Sequence, residues 1–158
     1  MSTQTPEVGF ETPVAMLDAC HDKVQYFTGL CLRLATHVQI RGANEQAVEA
    51  ATRILRYFRI AAPLHHQDEE LDLFPALLRL GPPVVDSRRI QTLRAHIEIL
   101  EAEHQVIEKI WREIEPWLDS IAKGQKTVNP QGLERFVSIY DAHIGAPRKT
   151  PVFAGLEV

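Results

Sequence analysis

Residues 93–118 read LRAHIEILEAEHQVIEKIWREIEPWL. Leu93, Ile97, Leu100, His104, Ile107, Trp111, Ile114 and Leu118 follow one another in alternating steps of four and three, the period of a helix with one buried stripe. His104 alone interrupts an otherwise apolar series. This spacing predicts a long helix over residues 86–123, and three further stretches repeat it. The first begins at Thr12-Pro13, a hydroxyl cap followed by proline at the first helical position, and continues to about Val38 before Arg41-Gly42 stops it. Its stripe is Val14, Leu17, His21, Val24, Thr28 and Cys31. The second starts near the capping residue Asn44 and runs through Val48, Ala51, Leu55, Phe58 and Ala62 to His65 and Glu69, ending near Leu80. Pro63 predicts a kink there, because its ring displaces the carbonyl one turn back. The fourth follows Asn129-Pro130, read as its cap, with Leu133, Phe136, Tyr140 and His143 on one stripe, and is expected to fail at Pro147.

No strand-period alternation, internal repeat or low-complexity tract occurs. Long amphipathic helices with short connections favour antiparallel neighbours, so the expected fold is all-α, an antiparallel up-down-up-down four-helix bundle. The expectation is one domain over residues 1–158, its core at about 13–145 and an irregular tail at 146–158. A chain of 158 residues that is 45% apolar and 24% charged suits one soluble globular domain, and its net charge of −4 argues against nucleic acid as a partner. No run approaches the roughly 18 apolar residues of a membrane helix, and MSTQTPEVGFETP lacks the charged and apolar regions of a signal peptide. The cytoplasm is therefore the expected location. Cys20 and Cys31 stand eleven apart on one helix, roughly 16 Å along its axis, too far to bridge, and are read as reduced and buried.

Each of the four stripes contains one histidine: His21, His65, His104 and His143. A lone histidine on an apolar face is commonly a satisfied core residue. Four of them, one per helix, would each need a buried partner at a cost of roughly 1–3 kcal/mol if unpaired, whereas a shared metal satisfies all at once. Residues 65–75, HHQDEELDLFP, add carboxylates, and Glu69 lies one turn beyond His65 on the same face. The resulting set of imidazoles and a carboxylate suits iron, zinc or manganese.

HHQDEELDLFP, a single stripe histidine on each other helix, Glu103-His104 and the YDAHI of residues 140–144 together resemble the hemerythrin-like, or HHE cation-binding, family over about residues 13–145. The resemblance implies a four-helix bundle holding two irons through histidines and bridging carboxylates. It implies binding or sensing of oxygen or nitric oxide, iron handling, or repair of iron–sulfur clusters. Carried onto this chain, the metal ligands are His21, His65, Glu69, His104 and His143. Two departures stand out. The family repeats H-x-x-x-E on the last helix, but Pro147 stands four residues after His143, and proline cannot ligate. The second helix-three histidine of oxygen carriers is also missing, Leu100 and Glu108 standing one turn either side of His104. The surviving ligands point to a single metal, or to two held asymmetrically.

His66 and Glu70 form a second H-x-x-x-E pair, one residue out of step; periodicity does not decide between the pairs, whereas the steps before Pro63 and the family spacing choose His65 and Glu69. The alternative for His66 is a solvated residue or one that supports a ligand. Glu70 or Asp72 could hydrogen-bond a ligating imidazole, and Glu101 is the first candidate to replace the missing carboxylate. Tyr140 reads as a core aromatic able to donate to a bound oxygen species, Trp111 and Trp117 as packing, and His37 and His96 as surface or boundary residues. The expected function is a cytoplasmic non-haem protein binding iron, mono- or dinuclear, with zinc or manganese as alternatives, and a small ligand such as dioxygen or nitric oxide. The sequence names no protein partner and leaves a homodimer open. One alternative is an enzyme using the same pocket for peroxide or nitric oxide chemistry or iron–sulfur repair, although no nucleophile with a positioned base supports it. The other is a metal-free regulatory bundle with a decayed site.

Overall fold

The four periodic stretches become four helical rods in the structure, a computed structural model that describes residues 11–79 and 87–145 but not the side chains of 11–18, 77, 87, 89 and 90. The first rod is α1, Glu11–Arg41. It ends where Gly42 takes a left-handed φ of 72°, a conformation that costs glycine nothing. Asn44 then opens α2, Glu45–Arg56, its Oδ1 accepting from the Ala47 N–H at 3.0 Å as the sequence predicts. The second rod continues through a π turn at Tyr57–Ala61, α3 at Ala62–Asp68, a second π turn at Glu69–Leu73 and α4 at Phe74–Arg79. The third rod is α5, Ser87–Ala122, and the fourth α6, Leu133–Ile144. No strand and no helix long and apolar enough to cross a membrane occurs among the described residues.

Where a kink is expected, just ahead of Pro63, the helix carries a π turn. Proline offers no N–H and crowds the carbonyl four residues back, and the wider π turn relieves both constraints. The Ala62 N–H reaches back five residues to the Tyr57 carbonyl just before Pro63, and the Phe74 N–H does the same to Glu69 just before Pro75. Each π turn holds one residue more than an α turn, so the face presented to the bundle rotates by about 100°. That rotation explains why the apolar stripe drifts after Pro63.

Around the bundle, α1 packs on α2 and α6, and α5 packs on the same two, closing a ring of four. Val24, Leu30, Cys31 and Leu34 meet Ile54, Leu55 and Phe58, Ile107, Ile114 and Leu118, and Phe136 in one core. Phe58 is its aromatic centre, with ring centroids 5.2 Å from both Trp111 and Phe136 and 5.7 Å from Tyr140. Along the first two rods, His37 pairs with Asn44, Phe27 stacks on Tyr57, and His21 meets His65 edge-on.

Three sequence expectations need correction. The last helix begins at Leu133 behind Gly132, not at Asn129-Pro130. The Asn129 side chain instead donates to the Ala35 carbonyl on α1 at 3.2 Å, a tertiary tie that no local pattern encodes. His37 is not a boundary residue: it is 1% exposed, and its Nε2–H donates to Asn44 Oδ1 at 2.8 Å. Its buried Nδ1 has no partner. Of the two free cysteines, Cys31 is buried, its thiol pushed up to about 12 by burial, but Cys20 is only half-buried.

Asn44 thus serves two donors at once. Asn44→Ala is expected to lower stability in urea by about 2–4 kcal/mol, a lost cap of about 1 kcal/mol plus a buried imidazole left unpaired. In a His37→Phe background the same change should cost only the cap. Equal costs in both backgrounds would show that the His37 contact contributes nothing.

Candidate metal centre

The four stripe histidines do converge, and Glu69 is where they meet. Its carboxylate is 6% exposed and lies between two groups of imidazoles. On one side Oε1 is 3.1 Å from His65 Nε2 and 3.9 Å from His21 Nε2. On the other, Oε2 is 2.9 Å from His104 Nε2 and 3.7 Å from His143 Nε2. Each rod therefore contributes: α1 His21, the second rod His65 and Glu69, α5 His104 and α6 His143.

His66, read from the sequence as outside the ligand set, is also here. The ligand atoms of His66, His104 and His143 lie within 4.8 Å of one another, as do those of His21, His65 and Glu69. Successive helical residues point about 100° apart, so on a rod flanked by α1 and α5 one histidine leans to each side. His65 meets His21, whereas His66 stacks on His104 with centroids 4.1 Å apart and planes at 16°. The choice between the two H-x-x-x-E pairs dissolves, because both pairs reach the centre. A signal was present in the sequence: the drift of the apolar face after Pro63.

Two further carboxylates hold the rings. Glu70 Oε1 accepts from His104 Nδ1 at 2.8 Å, and Glu103 Oε2 accepts from His143 Nδ1 at 2.7 Å. The suggestion of Glu70 as an imidazole partner holds. Glu101 does not reach an imidazole among the described residues; Glu103 does. Position 147 lies outside the described residues, but α6 has already ended at Ile144, with Gly145 in the left-handed region at φ 65°. Asp68 and Asp72 are exposed, as is His96.

The electron pairs test whether a cation fits. A carboxylate at each Nδ1 requires the proton there, which turns the Nε2 lone pairs of His104 and His143 inward. Those two atoms stand 2.9 Å apart, close to the roughly 3 Å between neighbouring ligands on a metal that holds each imidazole at about 2.0–2.1 Å. Glu69 Oε2, though 2.9 Å from His104 Nε2, lacks hydrogen-bond geometry, and it and His65 Nε2 are buried without a hydrogen-bond partner. Converging lone pairs repel unless a positive charge stands between them, and the residues present suit a metal ion.

The ionisation of the metal-free groups follows the same logic. Burial pushes the Glu69 carboxyl up, but the close imidazoles of His104, His143, His21 and His65 outweigh it and hold the group well below the usual carboxylate range. Burial disfavours a charged His104, yet Glu69 and Glu70 raise it above the ordinary histidine value. His66 is pushed down to about 3 by burial and then by His104 and His143. A proton on His104 is thus the metal-free compromise. Phe74 covers that ring with centroids 6.4 Å apart, and Tyr140, 2% exposed, places its hydroxyl 3.5 Å from His66 Nε2. Burial raises the Tyr140 hydroxyl above its ordinary range, so it keeps its proton. An open groove of about 410 Å³ lined by Phe27, Arg53, Arg56, Tyr57, Ile60 and Ala61 includes none of these groups.

The sequence matches the hemerythrin HHE cation-binding domain over residues 12–147. It is also 34% identical over 133 residues to an uncharacterized protein of Haemophilus influenzae, covering 84% of this chain and 72% of that one. No solved structure matches it. With the family match spanning all four rods and both imidazole groups, the chain belongs to the hemerythrin HHE cation-binding domain family.

Proposed function

We propose that the protein is a cytoplasmic non-haem iron protein that binds or senses dioxygen or nitric oxide at a two-ion centre held by His21, His65, Glu69, His104 and His143. One observation carries this reading: the Glu69 carboxylate addresses a different imidazole group with each oxygen. A carboxylate placed so would hold two ions together with no second carboxylate at position 147. The metal-free reading can relieve His104 and His143 with a shared proton, but it leaves Glu69 Oε2 and His65 Nε2 buried and unpaired, at roughly 1–3 kcal/mol each. Iron is preferred to zinc or manganese for a mixed imidazole and carboxylate set meant to change oxidation state. The antiparallel up-down-up-down order of the rods is part of the proposal; it is supported by the pairings His37–Asn44, Phe27–Tyr57 and His21–His65, whose numbers rise on one rod as they fall on the other.

Bound iron would supply exchangeable positions and a one-electron couple for a small diatomic ligand. The chain's own residues do the rest. Glu69 would balance part of the charge of the bound ions. Glu70 and Glu103 hold the Nδ1 protons of His104 and His143, which fixes the rings and makes each Nε2 a better donor of its electron pair. Phe58, Phe74 and Tyr140 keep water from the inner side. The Tyr140 hydroxyl, which holds its proton beside His66, favours a second reading, an enzyme of peroxide or nitric oxide turnover. Turnover by the iron-loaded protein no faster than by free iron would dismiss that reading.

Protein loaded anaerobically with ferrous iron and desalted is expected to retain two metal ions per chain by mass spectrometry of the element. Glu69→Ala should weaken retention of both ions by at least about tenfold. A wild-type protein that retains no metal, or a variant that retains it equally, would refute the bridge. Metal in hundredfold excess over Kd should also stabilise the fold by about 2.7 kcal/mol, a gain that chelator reverses.

A cation must displace the proton from His104, which is held above the ordinary histidine value of about 6.5. Affinity measured against a competing chelator should therefore keep rising as pH increases past 6.5 and fall steadily below it. Glu69, already ionised throughout this window, adds nothing to the slope. An affinity flat between pH 6 and 8 would contradict the proton competition.

A further inference from the structure

Resting on the two-ion reading, we propose that His66 is itself a metal ligand, the third imidazole on the ion that His104 and His143 hold. Its ligand atom lies within 4.8 Å of theirs, a grouping separate from His21, His65 and Glu69. The stack on His104, 4.1 Å between centroids and 16° between planes, keeps the two imidazoles adjacent; because each lone pair lies in its ring plane, His66 would turn out of the stack to share the ion that His104 holds. His143 stands edge-on to both, at 75° to His66 and 61° to His104, and so approaches the shared point from another direction.

The surroundings offer His66 no better role. Tyr140 Oη, 3.5 Å away, is at the far limit of a hydrogen bond. The positions one turn either side of His104 on α5 are Leu100 and Glu108, neither of which carries a ring nitrogen. The second rod thus supplies to this ion the imidazole that α5 does not. It can do so because consecutive helical residues diverge: His65 serves the ion beside α1, and His66 the ion beside α5 and α6. Doubled histidines on one rod become one ligand for each ion, with Glu69 between.

Cobalt(II) titration of the full chain, followed by its visible absorption, tests this. Wild-type protein is expected to take up two equivalents. His66→Phe keeps the stacked ring but removes both nitrogens, and should retain the first equivalent while weakening the second by at least tenfold. His66→Gln, with a polar end but no imidazole, should behave in the same way. X-ray absorption on the wild-type cobalt protein reads the ligands without any variant: five imidazoles shared by two ions support His66, and four overturn it. Phe and Gln variants that both bind the second equivalent as tightly as wild type would overturn the His66 assignment and leave the Glu69-bridged centre standing. A wild-type protein that takes up no cobalt would overturn both.

Discussion

A buried carboxylate surrounded by imidazoles from every rod is the constraint on which the rest of this molecule depends. Glu69 is 6% exposed, and ionised carboxylates are stable at such depth only beside compensating positive charge. In the metal-free chain Glu69 and Glu70 raise His104 above its ordinary value and so favour a proton there. A proton sits on one nitrogen at a time, whereas both oxygens and four Nε2 atoms face the same small space. The arrangement is costly as packing and well suited to cations, which can meet several lone pairs at once.

The centre is held from two directions. Towards the α1–α2 connection lies the apolar core, where Phe58 joins Trp111, Phe136 and Tyr140 into a rigid aromatic floor. Close-packed rings position the helix backbones more firmly than polar contacts could, because they lock rotamers on all the rods they join. From the outer side, Glu70 and Glu103 fix the two rings on α5 and α6. A half-exposed carboxylate can do this without the desolvation cost that Glu69 bears.

The second rod carries the most unusual geometry and the most residues of the cluster, His65, His66 and Glu69. Two π turns, each just ahead of a proline, flank the segment that bears His65 and His66 and begin the one that bears Glu69. The prolines remove backbone donors at these points, and the wider turns restore the hydrogen bonding while rotating the helix face. Chain segments that satisfy an awkward backbone in this way recur at functional sites, and here they bring neighbouring residues to opposite halves of the centre.

Much of this was legible in the chain itself. Periods of three and four residues set the number of rods and their buried faces, because burying an apolar stripe is the main driving force for such helices. They also placed His21, His65, His104 and His143 inward, and the i, i+4 step added Glu69. Asn44 announced its helix start by local chemistry alone. What the sequence could not express were distances between rods. Asn129 caps nothing and reaches Ala35 instead, His37 is buried by its contact with Asn44, and Glu103 rather than Glu101 meets His143. His66 is the sharpest case. A uniform helical period assigns one of two adjacent histidines to the inside, but a rod wedged between α1 and α5 has two insides, and the π turns rotate it so that both are used. The residue types and their local spacing determined that this chain would gather imidazoles around a carboxylate. Only the packing of four rods decided that the carboxylate divides them into two groups, because that division depends on which neighbour each side chain meets across the bundle.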